Sequence, residues 1–469
     1  MKIRTIIAAM ALSIGLSASA DALSDALALF EAGDYDGAAA LVREELSSLK
    51  GNALAKANLL LGKCEYELGD YQAAREYLTA AKAKGQADAA LYLGRLDYLD
   101  YDFEGARNNY ASYRNLLKRE KREPTEALEE DEKRLETAEG FLERVEKIAI
   151  IDSINVPRDQ FFKSYKLPAS AGSLNPATML PFDDRKELSA VVYMNEDGDR
   201  MIWAETDSIG NLHLMEAMRL TDGSWHEPTP VGESLAEGGN ADYPFMMADG
   251  ITLYFATDGE GSIGGYDIFV ATRDPSTGEF MQPQNMGMPY NSPANDYMLA
   301  IDELNGVGWW ATERNSDSDH VTVYVFVPNE LRKNYDTEND DVVSFARIED
   351  YKATQNDKDY TQLLEEIAAI DPSERPRKAD FHFPVNEGNV YTTLSDFKSA
   401  SARELMSTYL QAKASAAKAD TELRELRKKY ARGDHSTAQQ IAKLEKEAEK
   451  RASDLRKMRS DIYRAEFGR

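Results

Sequence analysis

The sequence predicts a multidomain protein of the α plus β class: an N-terminal α-solenoid, a small β-propeller of about four blades, and a C-terminal antiparallel α-helical hairpin. Three observations carry this expectation. Tyr35, Tyr71 and Phe103 recur 36 and 32 positions apart inside helical segments, a spacing that averages one helix pair of a solenoid. Between about 148 and 400 the apolar pattern changes to alternation, and a second repeat runs at 55 residues, the length of a unit of about four short strands. Beyond residue 401, apolar and small residues recur at steps of three and four through two long runs, as in packed helices.

The chain begins MKIRTIIAAMALSIGLSASA, with two early cations, an apolar run from Thr5 to Leu16, and Ala18 and Ala20 flanking Ser19. This pattern predicts a secretory signal peptide over 1–20 with an A-x-A cleavage site, too short to span a membrane. Asp21 rather than cysteine follows the cut, so no lipid anchor is expected, and no transmembrane segment is legible elsewhere. The single Cys64 cannot form an internal disulfide and reads as a small buried hydrophobe. A formal charge of -27 over 469 residues argues against nucleic acid as a partner, because phosphate binding needs a cationic face.

Residues 21–147 are expected to form the helical-repeat domain. FEAGDYDGAAALV from Phe30, YELGDYQAAREYL from Tyr66 and YLDYDFEGARNNY from Tyr98 resemble one another. Gly62 and Gly94 fall where the helices of a pair pack closely, Ala74 and Ala106 follow 12 residues later, and Leu78 and Tyr110 are expected to fill the space between repeats. This pattern resembles the tetratricopeptide family over about 21–118, and the glutamate-rich run 123–147 reads as a capping helix. The resemblance implies a concave groove that holds other polypeptides, lined by the first helix of each pair and here including Lys56, Lys63, Tyr66, Arg95 and Tyr98. Lys63 and Arg95, one repeat apart, would stack as a clamp for a carboxylate or an acidic peptide. The plainer reading is that they are surface cations balancing local acids.

Residues 148–400 carry the β repeat. GSWHEPTPVGESLAEGGNADY matches GEFMQPQNMGMPYNSPANDY, with Trp225 and Phe280, Pro228 and Pro283, Gly232 and Gly287, and Asn240 and Asn295 each 55 apart. LYFATDG from Leu253 matches GWWATER from Gly308, and DIFVAT from Asp267 matches TVYVFV from Thr322. The stretch YPFMMADGITLYFATDGEGSIGGYDIFVAT, 243–272, resembles the TolB-like, WD-repeat-like propeller unit. Complete blades fit 187–236, 240–290 and 293–348. Three blades do not close a ring, so 152–167 and 381–394 are expected to pair into a shared closing blade, with the helical insertion 359–371 outside it. DGEGSIGGYDIF contains G-x-G-x-x-G at Gly259, Gly261 and Gly264, but a nucleotide cradle needs a strand followed by a helix, and this stretch lies between two strand-like runs.

Residues 401–469 hold 17 Lys and Arg against 11 Asp and Glu. One stripe runs Leu405, Tyr409, Ala412, Ala416, Ala419, Leu423, Leu426, Tyr430, and a second from Ile441 to Ile462. Gly433 is expected to stop the first helix, and Ser436 with Gln439 to cap the second. The hairpin is a candidate element for self-association. The triplet Arg432-Gly433-Asp434 is accounted for by the helix reversal.

No catalytic, cofactor-binding or metal-ligating set is legible. The five histidines form neither H-x-H nor H-E-x-x-H, and no G-x-S-x-G is present. NEDGDR, 195–200, reads as a hairpin turn, and NSDSDH, 315–320, lacks the glycine and distal glutamate of an EF-hand. The order of modules resembles Gram-negative envelope proteins that carry an OmpA-like peptidoglycan-binding domain, although a helical hairpin stands where that domain would be. The resemblance implies a non-enzymatic periplasmic scaffold or adaptor that binds envelope or outer-membrane-associated proteins and is linked to a secretion or envelope-assembly complex. Two other classes stay open: a propeller hydrolase or lyase acting on an envelope polymer, and a sensor of a small ligand at the propeller's centre. An apolar plug at that centre favours the scaffold, and convergent titratable groups favour the enzyme.

Overall fold

A computed structural model describes residues 22–182, 191–220, 222–232, 235, 238–274, 277–316, 319–371, 381, 383–386, 389–432 and 434–467. The expected signal peptide, the start of the first blade near Leu188, part of NSDSDH, and Gly433 lie outside the described residues. The chain divides into two compact units, one of residues 1–273 and 279–371, the other of 274–278 and 372–469. It is an α plus β protein, with helices first, antiparallel sheets next and helices last. No described helix is long and apolar enough to cross a membrane.

The first unit opens with seven helices: α1 (22–31), α2 (Tyr35–Glu45), α3 (Gly51–Glu67), α4 (Tyr71–Lys82), α5 (Ala87–Leu99), α6 (Phe103–Glu120) and α7 (Glu126–Leu142). The repeat seen in the sequence corresponds to a repeated joint between the helices of a pair. Asp34, Asp70 and Asp102 each cap the second helix, accepting the amides of Gly37, Ala73 and Gly105 at 2.9, 3.0 and 2.9 Å, which satisfies donors the helix itself leaves open. At the same joint Phe30 meets Tyr35, Tyr66 meets Tyr71 and Tyr98 meets Phe103, with ring centroids 5.2, 5.7 and 5.6 Å apart. Leu78 and Tyr110 fill the space between repeats, Leu78 in one buried cluster with Leu93 and Leu96 of α5 and Tyr110 in one with Leu128 and Leu135 of α7. They also lie over the glycines of their own pairs, where a Cβ on Gly62 would stand 2.5 Å from Leu78 and one on Gly94 2.3 Å from Tyr110. The large side chain and the missing one are two halves of a single contact.

Three antiparallel sheets follow. The first has order β2-β3-β4-β5-β6, formed by β2 (Ser173–Asn175), β3 (Val192–Met194), β4 (Arg200–Thr206), β5 (Leu212–Met218) and β6 (Thr229–Pro230). The second is β10-β9-β8-β7, from β7 (Ala241–Met246), β8 (Thr252–Thr257), β9 (Asp267–Thr272) and β10 (Gln284–Asn285). The third is β1-β13-β12-β11, from β1 (Ala149–Pro157), β11 (Asp296–Asp302), β12 (Val307–Thr312) and β13 (His320–Val327). The 55-residue spacing is a spacing of register: Asp242 pairs with Ala256 as Tyr297 pairs with Ala311, and Thr257 with Asp267 as Thr312 with Thr322. Both first strands bulge after those residues, at Tyr243 (φ 53°) and Met298 (φ 56°). A positive φ at two bulky residues is costly, and its repetition marks a shared device that re-aims the strand.

A second shared device joins neighbouring sheets. Asn240 Oδ1 accepts the amide of Leu212 from the first sheet at 2.9 Å, while its Nδ2 donates to Asp258 at 2.8 Å. Asn295 Oδ1 likewise accepts the amide of Tyr266 from the second sheet at 2.8 Å, and its Nδ2 donates to Glu313 at 2.8 Å. The matched residues of the two repeats are thus clasps as well as strands.

The expected closing blade does not form. β1 pairs with β13 across eight residue pairs and becomes the outer strand of the third sheet, occupying the place that β10 holds in the second. The three sheets do not close into a ring, and among the described residues there is no fourth blade. The chain leaving β1 packs instead against the first strands of the second and third sheets: Phe161 meets Tyr243 and Tyr297 with centroids 6.0 and 5.4 Å apart, and Tyr165 donates its hydroxyl to the carbonyl of Met298 at 2.8 Å. These aromatic side chains bury against the sheet edge directly, so no further strand is needed to cover it. After α8 (Val342–Arg347), helix α9 (Thr361–Ala368) lies outside the sheets but seats Ile367, Leu363 and Leu364 on their core.

In the second unit, β14 (Phe383–Asn386) and β15 (Asn389–Tyr391) form their own two-stranded hairpin. Phe381, Phe383 and Phe397 pack there with Ala402, Met406 and Ile462 of α10 (Ala400–Ala431) and α11 (Ala438–Phe467). That aromatic contact holds Phe381 and Phe383 to the helices. Ala416, Leu423 and Leu426 of the predicted stripe are buried, whereas Tyr430 is exposed. The reversal is capped by Asp434, which accepts the amide and hydroxyl of Ser436, so Ser436 is the capped residue and not the cap.

Candidate functional site

The first helices of successive pairs, α3 and α5, and the following α7 share one face. Lys63, Tyr92 and Arg95 meet on it: the Lys63 ammonium and the Arg95 guanidinium each lie 5.2 Å from the Tyr92 ring centre, and Tyr66 sets its ring edge-on to Tyr92 at 5.2 Å. Cations over a tyrosine face are held by the ring's quadrupole. Burial pushes the Tyr92 hydroxyl up to about 12 and raises the Glu67 carboxyl, against the pull of Arg95 and Lys63. Lys56 is exposed two turns back along α3.

The structure therefore brings Lys63, Tyr66 and Arg95 together, but not as an open clamp. Lys63 is 3.6 Å from Asp88, and Arg95 is 2.6 Å from Asp131 on α7. An acidic ligand would have to displace both carboxylates, so the face as built is a neutral, mixed-charge track. Tyr98 is not on it. At the end of α5 its hydroxyl donates to the carbonyl of Ile263 at 2.5 Å, and the ring is buried where the helices meet the second sheet.

That junction opens into a crevice of about 500 Å³. Lys133, Arg134 and Thr137 of α7 form one wall, and Asp258, Glu260 and Ser262 of the glycine-rich turn form the other. Lys133 and Glu260 bridge the walls at 2.6 Å with both side chains about two-thirds exposed, an arrangement that contributes little to stability and opens readily. The track and the crevice share α7, since Asp131 faces Arg95 and Arg134 lines the crevice.

The glycine-rich turn is not a phosphate cradle. It lies between β8 and β9 of an antiparallel sheet, and four of its amides are already donated: Gly259 to Thr257, Ser262 to the Gly259 carbonyl, and Ile263 and Gly264 to the buried Asp267. Asn285 adds a third hydrogen bond to Asp267 at 2.7 Å, yet complete burial still pushes that carboxyl up to about 7. Gly264 serves close packing, because a Cβ there would stand 2.0 Å from the carbonyl of Ala294.

Elsewhere the acidic stretch 195–200 is a turn in which Asn195 accepts the amides of Asp199 and Arg200. Among the described residues no group of three or more His, Cys, Asp or Glu is arranged to hold a metal ion. Sequence reasoning missed Tyr92 and the α7 residues. Tyr92 was within reach, standing 32 residues after Leu60 as Arg95 stands 32 after Lys63. Asp131, Lys133 and Arg134 were not, because α7 lies beyond the last matched repeat. Comparison of the chain with known protein families, characterised proteins and solved structures finds no match.

Proposed function

We propose that this chain is a non-enzymatic periplasmic scaffold that captures another envelope protein along the face of α3, α5 and α7. The helical pairs are read as a tetratricopeptide array and the three sheets as the blades of an open, TolB-like propeller. The observation that carries this reading is that the Lys63, Tyr92 and Arg95 track and the crevice beside Lys133 are both bounded by α7. A half-buried, aromatic and charge-balanced groove suits an extended polypeptide of mixed sequence, which can exchange hydrogen bonds and ion pairs one for one. Behind that face the helices are anchored on Ile263 and Met288, which share a buried cluster with Tyr98, Leu128 and Phe141. The helical hairpin 400–467 is read as the element through which copies associate.

A photo-crosslinking residue placed at Lys56 or at Lys133, in intact cells, tests the reading. Adducts with an envelope or outer-membrane-associated protein are expected from both positions and not from the exposed Leu304 on the β11 to β12 turn. Absence of adducts from the track, or equal yields from Leu304, would sink it. The amino terminus of the mature protein in fractionated cells checks export, with Asp21 expected as the first residue. Sedimentation of the whole chain at rising concentration checks self-association.

A further inference from the structure

A carboxyl group inside the sheet core has no structural reason to be charged. Asp242, at the bulge of β7, is 6% exposed. Among the described residues its hydrogen bond is from the amide of its own neighbour Tyr243, at 2.6 Å. Buried polar groups are ordinarily paired, and an unpaired buried charge costs several kcal/mol. The fold does not require this one, because the same register position in the next sheet is Tyr297, whose hydroxyl donates to Glu313 at 3.3 Å. A group retained at a cost in stability, where the repeat shows an alternative, is a candidate for binding.

Asp242 lies near the aromatic rings of Tyr243 and Tyr266, whose hydroxyls its charge helps to raise. Tyr243 stacks on Tyr297 with centroids 4.4 Å apart and meets Tyr266 edge-on at 5.9 Å, and Phe161 closes the back of the cluster. Tyr243 and Tyr266 are half-buried and keep solvent access. The titratable groups facing the site are these tyrosines and Asp258, which acts on Tyr266 and is held by Asn240, with Glu313 beyond them already held by Arg158 and Asn295. The first sheet packs against β7, but burial and the Tyr243 amide are the influences that set the Asp242 carboxyl. No cation of the protein is paired with it among the described residues.

We propose that Asp242 and the rings of Tyr243 and Tyr266 form a binding site for an alkylammonium group. A single carboxylate supplies too few oxygens for calcium, which takes six to eight. One negative charge beside tyrosine rings instead matches a compact organic cation, which is attracted to both. Burial pushes the Asp242 carboxyl up to about 6, so affinity falls as pH drops through that value and the carboxylate gains its proton. The site is independent of the helical track and stands whether or not that track binds a partner.

The test is calorimetric titration of the whole protein with n-butylammonium chloride, with n-butanol as the uncharged control, at pH 7.5 and at pH 5. Saturable binding is expected at pH 7.5, lost at pH 5, absent for butanol, and weaker by about 30-fold or more in Asp242→Asn, the loss expected when a desolvated charge partner is removed. A parallel titration with Nα-acetyl-lysine N-methylamide separates the sources: tighter binding than butylammonium indicates a lysine side chain of a polypeptide, and equal or weaker binding a free amine. No saturable binding at pH 7.5, or unchanged affinity in a folded Asp242→Asn variant, overturns the proposal. Tyr243→Leu, expected to weaken binding without touching the carboxylate, and the pH comparison on the unaltered protein keep the test decisive if Asp242→Asn does not fold.

Discussion

Asn295 accepts the backbone amide of Tyr266 at 2.8 Å, and by that bond the third sheet is fastened to the second. The same side chain donates to Glu313, so its replacement leaves a backbone donor and a carboxylate oxygen without partners at a packed seam. Asn295→Ala should lower stability by about 1–3 kcal/mol. Asn240→Ala, at the equivalent but more exposed clasp, should cost less, because water replaces what is lost there. Urea unfolding of both variants checks the order, and a larger loss for Asn240→Ala would contradict it.

Gly264 and Gly140 should respond to alanine in opposite directions. At Gly264 the added methyl group meets the Ala294 carbonyl and that of Ser292, both backbone atoms that cannot step aside. The expected loss is about 3 kcal/mol or more, at the upper end for forced overpacking. At Gly140, inside α7, a methyl group meets nothing within 4 Å, and alanine should stabilise by about 0.5–1 kcal/mol through helix propensity. Thermal melting of the two variants, read as shifts of opposite sign, is sufficient.

The two cations of the track are not equivalent. Asp88 keeps Arg122 at 3.2 Å when Lys63 is removed, whereas Asp131 is held by Arg95 and lies mostly buried. Lys63→Ala should therefore change stability by less than about 1 kcal/mol, and Arg95→Ala should cost about 2 kcal/mol or more through the stranded carboxylate. Denaturant midpoints distinguish them. Partner capture is accordingly best probed at Lys56 and Lys63, where lost binding is not confused with lost folding.

What could be read from the sequence was what repeats locally. Gly62 and Gly94, the aspartate caps and the aromatic pairs act within one helix pair, so their spacing alone exposes them. Asn240 and Asn295 are legible because each clasp recurs at the same register. The pairing of β1 with β13 was not legible, since it joins segments more than 160 residues apart and competes with any other unpaired edge of similar alternation. The face shared by Lys63, Tyr66 and Arg95 follows from the 32-residue offset, but their neutralisation depends on Asp88 and Asp131, of which Asp131 lies on a helix outside the repeat. Tyr98 matched the repeat as well as Tyr66 did, and only docking against Ile263 removes it from the surface. A second aspartate-tyrosine match, Asp242-Tyr243 with Asp296-Tyr297, runs at 54 residues and conceals that Asp242 is equivalent in register to Tyr297.

That equivalence gives the stability of the protein a pH dependence whose sign can be worked out. The Asp242 carboxyl is raised from its ordinary value to about 6 in the folded state, chiefly by burial. Between about pH 4 and 6 the folded protein keeps a proton that the unfolded chain has released, so its contribution to stability declines as pH rises through this window and levels off above it. Asp242→Asn removes the ionisable group while keeping the shape. The variant should match the parent protein near pH 4 and exceed it at pH 7.5 by about 2–3 kcal/mol, taken from the size of the shift at 1.36 kcal/mol per unit. Guanidinium unfolding across this range checks it: a variant that is no more stable than its parent at pH 7.5 would show that Asp242 has a compensating partner in the folded protein.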